Sequence, residues 1–267
     1  MPESLQEALD FRAEADELHA FLATLDERAW SRPTTFQRWT PWDVVAHLHL
    51  YDQVSLASLA GEDVFVEERN KLVGRIAKGT TNADLARERF GAFGAVNLLA
   101  SWIAGARDLA AQLAACDPKR RLPWFGPDMG VRMFTTARLM ETWAHGQEVY
   151  DLQRVERRHT DRLRHIATIG VKTFGWTFVN RKLAVPGPPP YVRLVAPSGA
   201  IWEWNEPSET SAVLGTAIDF CRTVTQVRNA ADTELEVVGD VARRWMAIAQ
   251  CFAGGAVDPP KPGERAA

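Results

Sequence analysis

Cysteine is scarce in this chain: Cys116, Cys221 and Cys251 are its three, widely separated. An odd, scattered set excludes a disulfide framework, a cysteine zinc knuckle and a redox pair, and a reducing cytoplasm is the expected setting. A surplus of positive charge is missing too. Lys and Arg number 31 against 34 Asp and Glu, a net charge of −3, so bulk electrostatics supply no drive toward nucleic acid. No membrane-length run is present. The most apolar stretch, residues 91–106 (GAFGAVNLLASWIAGA), is shorter than a bilayer span and contains Asn97. The opening residues, MPESLQEALDFRAEADELHAF, are acidic and amphipathic, so no export signal is expected. A phosphate-binding glycine loop, a dinucleotide fingerprint, a serine nucleophile elbow, an HExxH signature and the paired Glu-x-x-His motif of di-iron bundles are all lacking. There is no internal repeat.

What is there suits a globular protein with ample length for a core. The chain has 267 residues, 46% hydrophobic and 24% charged, enough for one large domain or two ordinary ones. Residues 4–26 carry apolar positions at helical spacing. RAWSRPTTFQRW then reads as a loop with an aromatic anchor. Thr40 is placed to cap a helix over 41–60, with Pro41 at its first position and Asp43 completing a capping box. A third long helix is expected over 81–115, preceded by a shorter one over 64–77. CDPKRRLPWFGPDMG is a loop by its prolines and glycines. A fourth long helix covers 132–152. Four long amphipathic helices within about 150 residues predict a four-helix bundle, which we place at residues 1–155.

The second half is mixed. Residues 161–182 read as a helix, YVRLVA and AIWEWN as two strands around the turn PSG, and TELEVVGD as a further strand. Residues 211–228 look helical after a short strand or cap, and VARRWMAIAQCF as a closing helix. This predicts a small α/β domain over 160–255. Residues 256–267, with three prolines and mixed charge, read as a disordered tail. The fold class is therefore α+β.

One constellation carries chemistry. Glu141 and His145, in RLMETWAHGQEVYD, are four apart and share one helix face with Phe134, Ala137, Arg138, Glu148 and Leu152. His47, in TPWDVVAHLHLYD, lies on a face with Val44, Leu48, Tyr51 and Ser55. His49 falls on nearly the opposite side, with solvent, so the tandem histidines are not two ligands. A carboxylate and imidazoles facing a bundle interior are costly unless paired or bound to a cation. Two imidazoles and a carboxylate would hold a metal and leave coordination positions open, as catalytic zinc sites do. Spacing alone also fits an ordinary surface Glu–His pair and a hydrogen-bonded core histidine.

The two segments WDVVAHLHLYD and TARLMETWAHGQEVYD resemble the metal-binding domain of mycothiol-dependent maleylpyruvate isomerase and the wider DinB-like bundle superfamily. VRLVAPSGAIWEW, AIDFCRTVTQVRNAADTELEVVGD and WMAIAQCFAG resemble the small α/β domain of such isomerases, so the likeness covers nearly the whole chain. It implies a DinB-like four-helix bundle followed by that small domain. It further implies a divalent metal, zinc first, on His47, Glu141 and His145. The implied chemistry is activation of a small-molecule thiol of the mycothiol type toward a small, anionic electrophile, in a transferase or cis-trans isomerase. Glu148 is the expected proton shuttle, and Arg138 and Arg228 the expected anion-binding cations, with Arg222 a further candidate. CRTVTQVR lacks the family's TGR-like segment. The alternative is a non-enzymatic metal- or small-ligand-binding protein of the same fold. No nucleic-acid or membrane partner is expected, and a homodimer is left open.

The remaining features have plain readings. RVERRHTDRLRH is a basic run interrupted by acids, expected as a solvated linker helix. Trp42, Trp102, Trp143 and Trp176 belong to helical patterns and are expected to build the core and the domain interface. The three cysteines read as small buried hydrophobes.

Overall fold

The computed structural model describes residues 5–265. It divides into two compact units between Val155 and Glu156, and the architecture is α+β.

In the first unit, helix α1 (Gln6–Leu22) is followed by one short turn of helix, α2 (Glu27–Trp30), capped by Asp26. Then come α3 (Pro41–Ala60), α4 (Glu62–Ile76), α5 (Asn82–Phe90) and α6 (Ala95–Ala114). The two-residue strands β1 (Arg121–Leu122) and β2 (Met129–Gly130) pair antiparallel and lead into α7 (Val131–Gln153). Helices α1, α3, α6 and α7 pack around one another as a bundle, while α4 and α5 lie against α3. Phe11, Leu18, Leu48, Trp102, Phe134 and Trp143 fill the interior. Such fully buried large side chains supply most of the stabilisation, about 1.5–3 kcal/mol each for an aliphatic or Phe.

The first expected helix began at residue 4, which lies outside the described residues. The third, expected unbroken over 81–115, is two helices. Gly91 ends α5 and Gly94 precedes α6, with the chain turning between them through the bond from Phe93 N–H to the Phe90 carbonyl. Glycine contributes little to helix propagation, and two of them three residues apart let the chain turn there. Among the described residues, no helix is long and apolar enough to cross a membrane.

In the second unit, α8 (Leu163–Lys172) and α9 (Phe174–Asn180) replace the single helix expected over 161–182. The basic segment before Leu163 is turn and coil rather than a linker helix. Strands β3 (Tyr191–Val195) and β4 (Ile201–Trp204) form the expected hairpin. Next come β5 (Ala212–Thr216), α10 (Ala217–Val224), β6 (Glu236–Val238) and α11 (Asp240–Met246). The sheet order is β4-β3-β5-β6, with β3 and β5 parallel and the other pairs antiparallel. Helix α8 packs on α10, where Gly170 allows Val224 and Phe220 to approach.

The tail is a correction. Residues 256–265 are held by side chains of the second unit: Gln226 Nε2 donates to the Val257 carbonyl, Asn229 Nδ2 to the Pro260 carbonyl, and Val257 N–H to Gln250 Oε1. Pro260 is buried. Prolines that lower the entropy of the unfolded chain suit such a docked strap as well as they suit disorder. Residues 266–267 lie outside the described residues.

Candidate metal centre

Thr40 starts α3 as its sequence requires. Its hydroxyl accepts from the Asp43 N–H, Asp43 Oδ2 accepts from the Thr40 N–H, and Pro41 occupies the first position. Arg87 of α5 adds hydrogen bonds to Asp43 at 2.7 and 2.9 Å. With its start fixed, α3 carries His47 into the bundle, its side chain only 7% exposed. Helix α7 brings Glu141 and His145 to the same point. Glu141 Oε2 lies 3.3 Å from His145 Nε2 and 3.7 Å from His47 Nε2, and one donor atom from each residue falls within 4.8 Å of the others. Zn–N and Zn–O bonds of 2.0–2.1 Å in tetrahedral geometry separate ligand atoms by about 3.4 Å. The three donors are therefore near ligand spacing.

Rings enclose the two imidazoles. Trp39 stacks on His145 with centroids 5.3 Å apart and lies 4.9 Å from His47, while Phe36 meets His145 edge-on at 5.2 Å and Tyr51 lies 4.9 Å from His47. The Phe36–Trp39 loop is tightly wound. Gln37 and Arg38 both adopt left-handed backbone conformations, at φ 48° and 58°, and the Trp39 carbonyl accepts from the Thr34 N–H. Consecutive non-glycine residues in that region are uncommon and are kept by their surroundings.

The electrostatics favour metal-ready protonation states. Burial, opposed by the Glu141 hydrogen bond, holds His47 down at about 4, so its imidazole is neutral near pH 7. Burial disfavours the Glu141 anion, but hydrogen bonds from His145 and His47 outweigh it and hold the carboxyl well below the usual range. Burial, then the Glu141 charge, pushes Tyr51 up to about 12, and its hydroxyl donates to Asn82 Oδ1. Glu141 keeps 24% of its side chain exposed, so this donor set is open to solvent on the carboxylate side.

Residues 11–150 match the mycothiol maleylpyruvate isomerase N-terminal domain family. The chain belongs to that family. It is 39% identical over 245 residues to an uncharacterised Mycobacterium tuberculosis protein found in strains H37Rv and CDC 1551, covering 92% of this chain and 94% of the relative. It is similar to the crystal structure of the mycothiol-dependent maleylpyruvate isomerase, with 18% identity, TM-score 0.47, and coverage of 82% of this chain and 87% of that one. A histidine-to-alanine mutant of that isomerase gives 17% identity and TM-score 0.45.

Of the site residues expected in this family member, His47, Glu141 and His145 come together. Arg138 does not join them as a free cation. It is 3% exposed, and its Nε and Nη2 donate to Asp52 Oδ1 at 3.0 and 2.9 Å. Its guanidinium is paired with the Asp52 carboxylate in the bundle interior. Glu148 is buried on α7 and is not part of the three-residue cluster. Arg228 lies buried in the second unit, with Nη1 donating to the Val227 carbonyl, and Arg222 there lies 3.8 Å from Asp219.

His49 is a further correction. It is 4% exposed rather than on a solvent face, with Nε2 3.0 Å from Ser101 Oγ and its ring stacked on Phe90, because α5 and α6 close over that side of α3. Trp176 is 41% exposed rather than in the core, and Cys116 is only partly buried. Phe36 and Trp39 went unassigned by sequence reasoning beyond an anchor role. The available signal was two aromatics three apart, just ahead of the Thr40 cap.

Proposed function

We propose that this protein is a metal-dependent enzyme of thiol chemistry, in which His47, Glu141 and His145 hold a divalent metal, zinc in the first instance. The observation that carries the reading is the convergence of two imidazole nitrogens on one carboxylate oxygen beside the rings of Trp39 and Phe36. The residues fit such an ion. They supply two imidazole nitrogen donors and one carboxylate oxygen, a catalytic-type set with a position left over. The His47 ring atom that faces Glu141 is Nε2, a usual imidazole donor to a metal. A divalent metal bound there supplies Lewis acidity, which lowers the pKa of a thiol enough to make it a nucleophile at neutral pH.

The chain's own residues have separate tasks in this reading. Burial keeps His47 neutral and able to donate its lone pair. Glu141 offsets one unit of cationic charge and leaves the site net positive, which favours the sulfur anion. Trp39 and Phe36 fix the His145 ring and exclude water from its face. The thiol proton leaves for a base, for which Glu148, further along α7, is our candidate. The sulfur then forms a bond to an electrophilic carbon of a small substrate. In a transfer, that carbon framework takes up a proton and the C–S bond is kept. In an isomerisation, rotation follows and the C–S bond breaks, returning the thiol. The thiol is proposed to be of the mycothiol type by family membership.

The test is elemental analysis of the purified protein beside His47→Ala and Glu141→Ala. About one zinc per wild-type chain and loss from both variants are expected, together with metal-dependent consumption of a low-molecular-weight thiol in the presence of an unsaturated acid. Stoichiometric metal in both variants would refute the ligand assignment. Loss of metal without any thiol reaction would leave a metal-binding protein.

A further inference from the structure

Arg138 occupies a telling place. On α7 it lies three residues before Glu141 and seven before His145, so the three share one stripe of the helix. That stripe meets α3. Glu141 reaches His47, and about one turn away Arg138 reaches Asp52, with its Nη2 also directed at the Leu48 carbonyl at 3.5 Å. Leu48 is the neighbour of His47 in sequence. Asp52 has a second partner: its Oδ2 accepts from Trp102 Nε1 of α6 at 3.1 Å. One carboxylate thus joins three helices of the bundle. Arg138, Asp52 and Trp102 are 3%, 0% and 0% exposed.

A buried ion pair of this kind is weak evidence for stability, since apolar side chains of similar volume often serve as well or better. Its other use is directional. Apolar packing tolerates a slide between helices, but a guanidinium with two N–H groups on one carboxylate oxygen does not. The ligands here come from two helices, two from α7 and one from α3. A slide between those helices moves His47 against Glu141 and His145, and metal ligands tolerate errors of only about 0.2 Å.

We infer that the Asp52–Arg138 pair is a positioning device for the metal centre, setting the register of α3 against α7 so that His47 meets Glu141 and His145. Asp52 and Arg138 touch neither metal nor substrate and act through the ligands. The inference rests on the metal reading proposed above.

The test uses full-length protein. In the Asp52→Leu/Arg138→Met double variant the pair is replaced by apolar side chains. In Asp52→Asn the side chain keeps its shape and an acceptor for Trp102 while losing the charge, and it carries the test if the double variant does not fold. Three quantities are measured: zinc affinity by competition with a chromophoric chelator, the visible spectrum of the cobalt(II) form, and thermal unfolding of the metal-free protein. The expected result is metal-free unfolding near or above the wild-type temperature in the double variant, with zinc affinity weakened tenfold or more in both variants, as partners behind metal ligands typically show. The cobalt bands are expected to shift or weaken. Wild-type affinity and an unchanged cobalt spectrum in a folded variant would overturn the inference while leaving the metal reading intact. Failure of the wild-type protein to bind zinc or cobalt would remove the metal reading, and this inference with it.

Discussion

At the scale of single residues, Trp39 holds the candidate site together. Buried to 7% exposure, it packs against both imidazoles. Trp39→Ala is expected to cost about 3–5 kcal/mol in urea unfolding and to weaken zinc retention, whereas Trp39→Phe should retain most of both. His159 gives a pH prediction. Burial first, then the charges of Arg157 and Arg222, holds it down at about 3 against an ordinary 6.5. The unfolded chain therefore takes up this proton first as pH falls. The contribution is complete above about 6.5 and is lost progressively toward 3. Unfolding monitored between pH 7 and 5 should show stability declining with acid, less steeply in His159→Gln. At this scale the juxtaposition of Glu141 and His145 was legible, because they are four apart and a helix must align them. The fate of Arg138 was not. Asp52 ends the same segment that contains His47, but which charge it meets depends on which faces of two distant helices touch.

Among the elements, α3 was the most readable. Its cap, first-turn proline and capping box are local chemistry, and the structure starts the helix where they say. Thr40→Ala should destabilise by about 1 kcal/mol in denaturant titration, with no new element formed. The break between α5 and α6 was missed because the apolar period runs on through it while two glycines interrupt only the backbone. In the second unit, Gly239 closes the approach of β6 to the start of β5. It has φ 85°, and an added Cβ would fall 2.1 Å from the Thr210 carbonyl oxygen. Gly239→Ala is therefore expected to lower the unfolding temperature clearly, by more than the roughly 1 kcal/mol such swaps involve where the backbone is compatible. The docked strap 256–265 was misread for a related reason: two of its anchors, Gln226 and Asn229, are polar side chains about thirty residues away in sequence.

For the whole molecule, the metal reading links ligand binding to stability. A ligand bound only by the folded state stabilises it by about 2.7 kcal/mol at one hundred times its dissociation constant. Added zinc should raise the unfolding temperature, a chelator should lower it, and His47→Ala should respond to neither. Hydrogen exchange should place the added protection on α3 and α7, the helices that carry the ligands, ahead of the sheet of the second unit.

Composition, helical period and capping residues determined by themselves that this would be an α+β chain with a helical first half and a hairpin-bearing second half, and they marked His47, Glu141 and His145. These are properties of the nearest few residues, where the repeat of the backbone leaves little choice. Tertiary structure alone decided that Arg138 is spent on Asp52, that His49 is buried, that Trp39 walls the site and that the terminal strap is docked. Each of these depends on side chains far apart in sequence meeting in the interior, where burial and partner geometry, not local preference, set the energy.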